Sequence, residues 1–499
     1  MVRESINTVK EELKASLILP YVKLYFRISP TEEELFSVTL AEDRSTCEVR
    51  LSLKEVIEDI EGGIAYGLIA DHILPAKGDV AHIKELILQS WIKEELKILH
   101  EEYEDLFYEL FIDPSYFIMS HYLRKGKVLF MFKQHYRHLA STALEQLERE
   151  QVMWRVLRKM ERDGYVIIKD SKVRPLRDIT RELGEIKKRS MIPIKGFLKA
   201  PMGLSIFSLL IRLIKVPTIG EENGIWSYPI WVETDAGLKP LKAEEEVKTG
   251  VISDGARLRR LGGMINTAYL ATWENGEKRV IKVFKEWTDL KWLPLAFWAL
   301  GAYTFDPTGK GRLINEFTMN RKFKRAGIRV PEIYHIDLSK KIIVEQFVPG
   351  LTLKDVIVNI LKGKYHVEAV EHIRSALHEL SIVHEKGFVI GDANPTNVII
   401  NDKSVFFVDL EQAREGDKFS WDLATMMFFL AHYVQGSARN LDMIIKAMVE
   451  GYTERGDVEV IKKALRIPYL RVYAFFAYPH AIYKVYKLVS KYAGGIEIR

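Results

Sequence analysis

Hydrophobic and polar positions change period several times along this chain. From Tyr21, the run Tyr-Val-Lys-Leu-Tyr-Phe-Arg-Ile alternates and predicts a half-buried strand. Val56 to Ile60 and Ile83 to Leu110 carry apolar residues at helical spacing. In the longer stretch Trp91, Leu96, Leu99, Leu106 and Leu110 form the apolar stripe, and the charged residues between them read as a solvated face. Thr142-Ala-Leu-Glu145 fits a capping box. The helix expected after it has Met153, Val156, Leu157 and Met160 on one face, Arg155, Arg158, Lys159 and Arg162 on another, and Gly164 as its stop. Tyr165 to Lys169 then reads as a strand, Asp170-Ser171 as a turn and Val173 to Leu176 as the returning strand. Beyond residue 250 the pattern predicts strands at Arg279–Phe284, Val344–Val348, Phe388–Ile390, Val398–Ile400 and Val405–Val408. Helices are expected around Glu316, from near Thr352 and from Trp421.

Punctuation divides these elements. A prior of ~150 residues per domain gives about three domains. Residues 1–135 read as a mixed α/β region whose chemistry the sequence leaves open, and 136–190 as the helix–glycine–hairpin unit. Residues 191–250 are a linker region broken by Pro193, Pro201, Pro217, Pro229 and Pro240, with a hairpin about Ile225–Glu233 and Gly237. Residues 251–499 carry the candidate chemistry.

That chemistry lies on the loops after two short strands. Phe388-Val-Ile-Gly-Asp392-Ala-Asn-Pro-Thr-Asn397 delivers an acid and an amide, and Val405-Phe-Phe-Val-Asp409-Leu-Glu delivers a second acid. Phosphoryl transfer needs this set: one carboxylate, Asp392, to orient the accepting hydroxyl, and an amide and a carboxylate, Asn397 and Asp409, to hold magnesium against phosphate oxygens. Loops at strand ends fix such groups while leaving their side chains free to face a cleft.

The spacing Gly-Asp-x-x-x-x-Asn followed by Asp-Leu-Glu resembles the catalytic and metal-binding loops of the protein-kinase-like superfamily. Ile390 and Gly391 stand where ordinary protein kinases have His and Arg, and Leu410-Glu411 replaces Phe-Gly. The glycine before the acid is closer to two atypical groups, the RIO kinases and the archaeal and eukaryotic kinase of the tRNA threonylcarbamoyladenosine machinery. The resemblance implies an α+β, bilobal kinase-like fold over 251–499, with a small lobe at 251–348 and a large lobe at 351–499, and ATP and Mg2+ as cofactors. It implies that Lys282, in Arg279-Val-Ile-Lys-Val-Phe, pairs with the α- and β-phosphates, and that Glu316 holds Lys282. Gly262, Gly263 and Asn266 fall where a phosphate-covering loop is expected, and backbone groups from Gln346 to Val348 where adenine would bind. Asp422 resembles the acid that buttresses the catalytic loop, although an Asp near a helix start is also favourable in itself.

From Asp409 to Asp422 there is no room for a long activation segment. The first expectation is a serine/threonine kinase whose hydroxyl acceptor is a protein. A small-molecule or lipid-headgroup kinase on the same fold is the alternative within enzymes, and a nucleotide-binding pseudokinase scaffold the alternative outside them. The helix and hairpin of 136–190 are similar to the end of a winged helix, and also to a supersecondary unit common to many folds. In the first case Arg155, Arg158, Lys159, Lys169, Lys172 and Arg174, within 142–176, would offer a weak nucleic-acid contact.

Composition adds limits. The net charge of +5 makes no global case for nucleic acid, and 47 % hydrophobic with 28 % charged residues fits a globular protein. The single Cys47 excludes an internal disulfide and points to a reducing cytoplasm. Few Cys with abundant Lys, Glu and Ile fit a thermophile and, with the resemblance, an archaeal source. Residues 1–30 lack a signal-type apolar core. The apolar stretches Phe197–Val216 and Trp292–Phe305 are interrupted by Lys199, Pro201, Arg212 and Lys215 or by Pro294, so packing inside the protein is expected of both, and a membrane-surface position is open to the first. Oligomeric state is not legible.

Overall fold

The computed structural model describes residues 11–494 apart from 20–22, 32, 34, 43–44, 62–67, 129–132, 177–229, 242–254, 263–266, 286–302, 365–366, 403, 435–439 and 475–476. The content is mixed α/β with several sheets. The chain divides into two compact units, Met1–Val232 and Glu233–Arg499.

In the first unit, β1 (Leu13–Ile18), β2 (Lys23–Ser29), β3 (Ser37–Leu40), β4 (Thr46–Ser52) and β5 (Lys77–Gly78) form one sheet in the order β3-β4-β2-β1-β5, with β2 and β4 parallel. The alternation in β2 buries Leu24, Phe26 and Ile28 and leaves Tyr25 exposed. Helix α1 (Leu53–Glu61) follows β4 directly. A reciprocal cap starts it: Ser52 N donates to Glu55 Oε2 at 2.7 Å and Glu55 N to Ser52 Oγ at 3.2 Å. After α2 (Leu68–Ile73) comes α3 (Ala81–Tyr103), which gives way at Glu104, φ +49°, to a 3-10 turn, Glu104–Glu109, and to strand β6 (Leu110–Ile112). The helix expected to run to Leu110 therefore ends at Tyr103.

Two charged residues of α3 depart from the solvated face expected, while Glu101 and Glu102 are exposed. α3 packs against α4 (Pro114–Val128) and, beyond α5 (Lys133–Arg149), against α6 (Val152–Arg162), and it buries Lys84 and Glu95 completely. Lys84 donates to both carboxylate oxygens of Glu150, at 2.8 and 2.9 Å, and Glu95 accepts from Ser120 at 2.8 Å and from Arg124. The expected cap at Thr142 is likewise corrected: Thr142 lies inside α5, and its hydroxyl donates to the His138 carbonyl at 2.9 Å. The break falls at Gln151, which takes φ +56° between α5 and α6. The remaining pattern is as read, with Met153, Val156, Leu157 and Met160 buried on α6, Gly164 at φ +80°, and a hairpin of β7 (Val166–Lys169) and β8 (Lys172–Pro175) turning at Asp170 and Ser171. β8 pairs with β6, and β6 with Ile230–Val232 of β9 (Ile230–Thr234).

The second unit begins within β9 and continues into β10 (Gly237–Pro240). Its main sheet is antiparallel, in the order β11 (Arg257–Gly262), β12 (Thr267–Thr272), β13 (Lys278–Val283), β15 (Ile342–Gln346), β14 (Ile333–Asp337). Helix α7 (Gly309–Arg325) is capped by the Thr308 hydroxyl, which accepts from Gly311 N at 3.1 Å. β16 (Leu351–Thr352) leads into α8 (Leu353–Leu361) and α9 (Val367–Glu385). Two loop-bearing pairs follow: β17 (Phe388–Val389) with β20 (Arg414–Glu415), and β18 (Val398–Asn401) with β19 (Ser404–Phe407). Helices α10 (Phe419–Phe428), α11 (Leu430–Tyr433), α12 (Leu441–Thr453), α13 (Val458–Ala464), α14 (Ile467–Ala474) and α15 (Pro479–Tyr492) complete it. One apolar cluster runs from Tyr303 and Phe323 through Leu377, Val389 and Met427 to Val485.

Phe197–Val216 lies outside the described residues, as does most of Trp292–Phe305, of which Tyr303 is buried and stacked on Trp421 at 5.3 Å. Among the described residues no helix is long and apolar enough to cross a membrane.

Candidate active site

Strand β13 sets Lys282 on the face it shares with β15, in register with Ile343. Helix α7 brings Glu316 across to it. Lys282 Nζ lies 2.7 Å from Glu316 Oε1, 3.1 Å from Glu345 Oε2 and 3.6 Å from Asp409 Oδ1. All but Asp409 are almost fully buried. Burial alone disfavours the ammonium, but the carboxylates of Glu316, Glu345 and Asp409 outweigh it and hold Lys282 well above the ordinary lysine range. Burial pushes Glu316 far above the usual carboxylate range, Lys282 opposes this, and Glu345 and Asp409 add to it.

The loop after β17 is fixed by its neighbours. Asp422, at the start of α10 and fully buried, accepts from Ile390 N at 2.6 Å and Gly391 N at 2.8 Å, and its carboxylate is held by His384 of α9 at 3.2 Å. His384 in turn meets the Tyr452 hydroxyl at 2.9 Å, and Trp421 Nε1 donates to the Gly391 carbonyl at 2.6 Å. Asp392 follows, its two oxygens accepting from Asn394 Nδ2 at 3.0 Å and Asn397 Nδ2 at 3.1 Å. Burial raises its carboxyl to about 6, with the Asn394 bond opposing and Asp409 reinforcing. Asn394 caps the single turn Pro395–Asn397 through Thr396 N at 2.8 Å, which sets Asn397 five residues after Asp392 and beside it.

Asp409 takes φ +65°, a strained choice for a non-glycine residue that persists where surroundings over-determine it. Here they do. Asn315 Nδ2 of α7 donates to the carbonyls of Glu411 and Ala413, both at 2.8 Å, and Arg312 of α7 makes a buried two-pronged pair with Glu411 at 3.0 and 3.1 Å. The Tyr303 hydroxyl donates to the Gln412 carbonyl at 2.6 Å, and Gln412 Oε1 accepts from Asp306 N at 3.0 Å.

The sequence-predicted residues therefore divide into groups. Lys282 contacts both Glu316 and Asp409, and Asp392 and Asn397 form a second contact group. Val348 is buried beyond β15, and Gln346 donates its N–H to the Glu332 carbonyl at 2.8 Å, so that N–H is not on offer to a ligand. Gly262 ends β11 after a register shift, while Gly263 and Asn266 lie outside the described residues. Sequence reasoning missed Glu345, Arg312 with Glu411, and His384. Each is a charged or polar residue whose partner lies tens of residues away, so no local pattern marks it. Among the described residues no three His, Cys, Asp or Glu side chains cluster as a metal site. A cation at Asn397 and Asp409 would complete its shell with ligand oxygens, as magnesium does with phosphates.

The family model of the RIO domain matches residues 312–424, which include Glu316, Asp392, Asn397 and Asp409. The chain is 26 % identical over 161 residues to the KEOPS complex subunit Bud32 of Pyrococcus abyssi, covering 32 % of this chain and 64 % of that protein. It is 29 % identical over 145 residues to the probable bifunctional tRNA threonylcarbamoyladenosine biosynthesis protein of Thermoplasma acidophilum, covering 28 % of this chain and 25 % of that protein. The chain thus spans less than two thirds of the length of either relative. Among solved structures, the Rio2 kinase–ADP/Mg2+–phosphoaspartate complex of Chaetomium thermophilum aligns over 57 % of this chain and 86 % of that one, at 14 % identity and a TM-score of 0.28, too remote to bear on the site.

Proposed function

We propose, from the premise that this part of the chain belongs to the atypical protein-kinase-like family of the RIO and Bud32 proteins, that the protein is an ATP-dependent phosphotransferase acting on a hydroxyl group. One observation carries the reading: Lys282 is held at 2.7 Å by Glu316 and faces Asp409 at 3.6 Å, with the Asp392–Asn397 pair on the other loop of the same unit. In this reading the β11–β15 sheet with α7 is a small lobe, the helices from α8 onward are a large lobe, and the nucleotide lies between them. Lys282 pairs with the α- and β-phosphates. Asn397 and Asp409 would hold magnesium, which supplies charge neutralisation at the β- and γ-phosphate oxygens when bound. Asp392, anchored by two amides, orients the acceptor hydroxyl and takes up its proton. Gly262, Gly263 and Asn266 cover the phosphates, and the segment around Val348 receives adenine.

A serine or threonine hydroxyl on a protein is the acceptor this reading favours, and the relative named as a complex subunit supports a protein partner. The basic residues of 142–176 are a weaker basis for nucleic-acid contact, because the structure already engages several of them. Arg155 pairs with Glu85 at 2.8 Å, and Arg174 donates to the Tyr108 carbonyl at 3.2 Å. A cytoplasmic setting fits the single, buried Cys47.

The test is kinetic. Mg-ATP at millimolar concentration should raise the melting temperature. Asp392→Ala and Asp409→Ala should each reduce transfer of labelled phosphate by ~1,000-fold or more, and only Asp409→Ala should also weaken Mg-ATP binding strongly. Wild-type turnover by either variant would refute the assignment. Label incorporated from cell extract, resolved into protein, RNA and small-molecule fractions, identifies the acceptor class.

A further inference from the structure

The ammonium of Lys282 has more carboxylates around it than one charge needs. Glu316, Glu345 and Asp409 all lie within ion-pair distance. Glu316 and Glu345 are each 2 % exposed, so their charges are not screened by water. One oxygen of each, Glu316 Oε2 and Glu345 Oε1, is buried without a hydrogen-bond partner among the described residues. The two acids also reach the lysine from different structures. Glu316 is carried by a helix. Glu345 is carried by β15, the strand hydrogen-bonded to the lysine's own strand, where it stands opposite Val280, two residues from Lys282 on the same face. The last residue of β15, Gln346, begins the segment assigned to adenine.

We propose that Lys282 has two anchors, and that Glu345 is a positioning residue that holds the lysine at the wall of the cleft independently of Glu316 and of the helix that carries it. Several observations support the assignment. Two carboxylates within reach of one ammonium, at 2.7 and 3.1 Å, keep the lysine paired when either contact lengthens. A strand-borne anchor does not move when the helix shifts, because both ends of the contact belong to one sheet. The lysine would then stay aligned with the phosphates through small displacements of α7. The purpose assigned to the lysine rests on the phosphotransferase reading, whereas the anchoring itself rests on the geometry.

A double-mutant cycle tests it on the full chain, in two arms. In thermal unfolding without nucleotide, Glu316→Gln and Glu345→Gln should each shift the melting temperature by no more than ~3 °C, and the double variant should lose ~10 °C, because only then is the buried ammonium left with the more distant Asp409 alone. In Mg-ATP kinetics, each single variant should raise KM by less than ~10-fold and the double by more than ~100-fold, with kcat less affected than KM. In the Glu316→Gln background, Glu345→Asp, which keeps the charge, should lose less than Glu345→Gln. Additive losses in the unfolding arm would overturn the two-anchor proposal. So would a Glu316→Gln variant as impaired in KM as the double. Synergy in unfolding with no Mg-ATP binding by the wild type would sustain the anchors and overturn the kinase reading instead. Mg-ATP binding with additive unfolding would do the reverse.

Discussion

At Gly391 the backbone takes φ +78°, and a Cβ would stand 2.2 Å from the Gln412 carbonyl oxygen and 2.5 Å from the Tyr303 hydroxyl. The residue before the candidate base is therefore small because the two loops of the site touch there. Gly391→Ala should cost ~2–4 kcal/mol of stability, read from the denaturation midpoint at unchanged slope, and should lower turnover beyond what that loss explains. A second residue-scale expectation lies in the first unit. Burial raises the Asp59 carboxyl to about 7, against the opposing Ala70 bond and Lys125 and with help from Asp71. A carboxyl raised on folding contributes stability that is full below its unfolded value, near 4, and is lost as pH climbs through the folded one. Asp59→Asn should cancel that contribution: the difference in unfolding midpoint between wild type and variant should change between about pH 4 and pH 7 and be flat above. Glu95, also raised to about 7 by burial, titrates in the same window in both proteins and drops out of the difference.

Elements form here for reasons of unequal size. Helix α8 starts with a complete capping box, Asp355 N to Thr352 Oγ1 at 3.1 Å and Thr352 N to Asp355 Oδ2 at 3.2 Å, and buries Leu353, Val356, Ile357 and Ile360. The cap is worth ~1 kcal/mol and each buried side chain ~2 kcal/mol, so packing fixes the helix and the cap fixes where it begins. Thr352→Ala should then lower stability by ~1 kcal/mol in chemical denaturation without abolishing the fold. Thr352 was legible because cap, turn and apolar spacing agree at one place. At Thr142 a similar spelling, Thr-x-x-Glu, misleads, since the pattern stands alone there and the helix has already begun at Lys133. The strand holding Lys282 and the helix holding Glu316 could be read from flanking apolar residues. Glu345 could not, because an acid at the end of a strand reads as exposed until the sheet register shows it facing Lys282. The buried Arg312–Glu411 pair was invisible for the same reason, as its members are separated by 99 residues of chain.

At the scale of the whole molecule, the candidate site draws every member from Gly262 to Asp409, inside the second unit. Mg-ATP should therefore slow amide exchange in β13, α7 and the loops at 390–397 and 409–414, with no comparable slowing in α6 or the β7–β8 hairpin. Protection spread evenly over both units would argue against a site confined to the second. The short path from Asp409 to α10 has a consequence of its own. Its backbone is already committed: Asn315 takes the Glu411 and Ala413 carbonyls, Tyr303 takes that of Gln412, and Arg312 clasps Glu411. A stretch tied down at so many points has little slack in which an added phosphate could pull it between an on and an off position. If the protein is a kinase, its output would be metered by the arrival of its client rather than by a latch of its own, and the client would have to be brought to the doorway by some surface other than this loop.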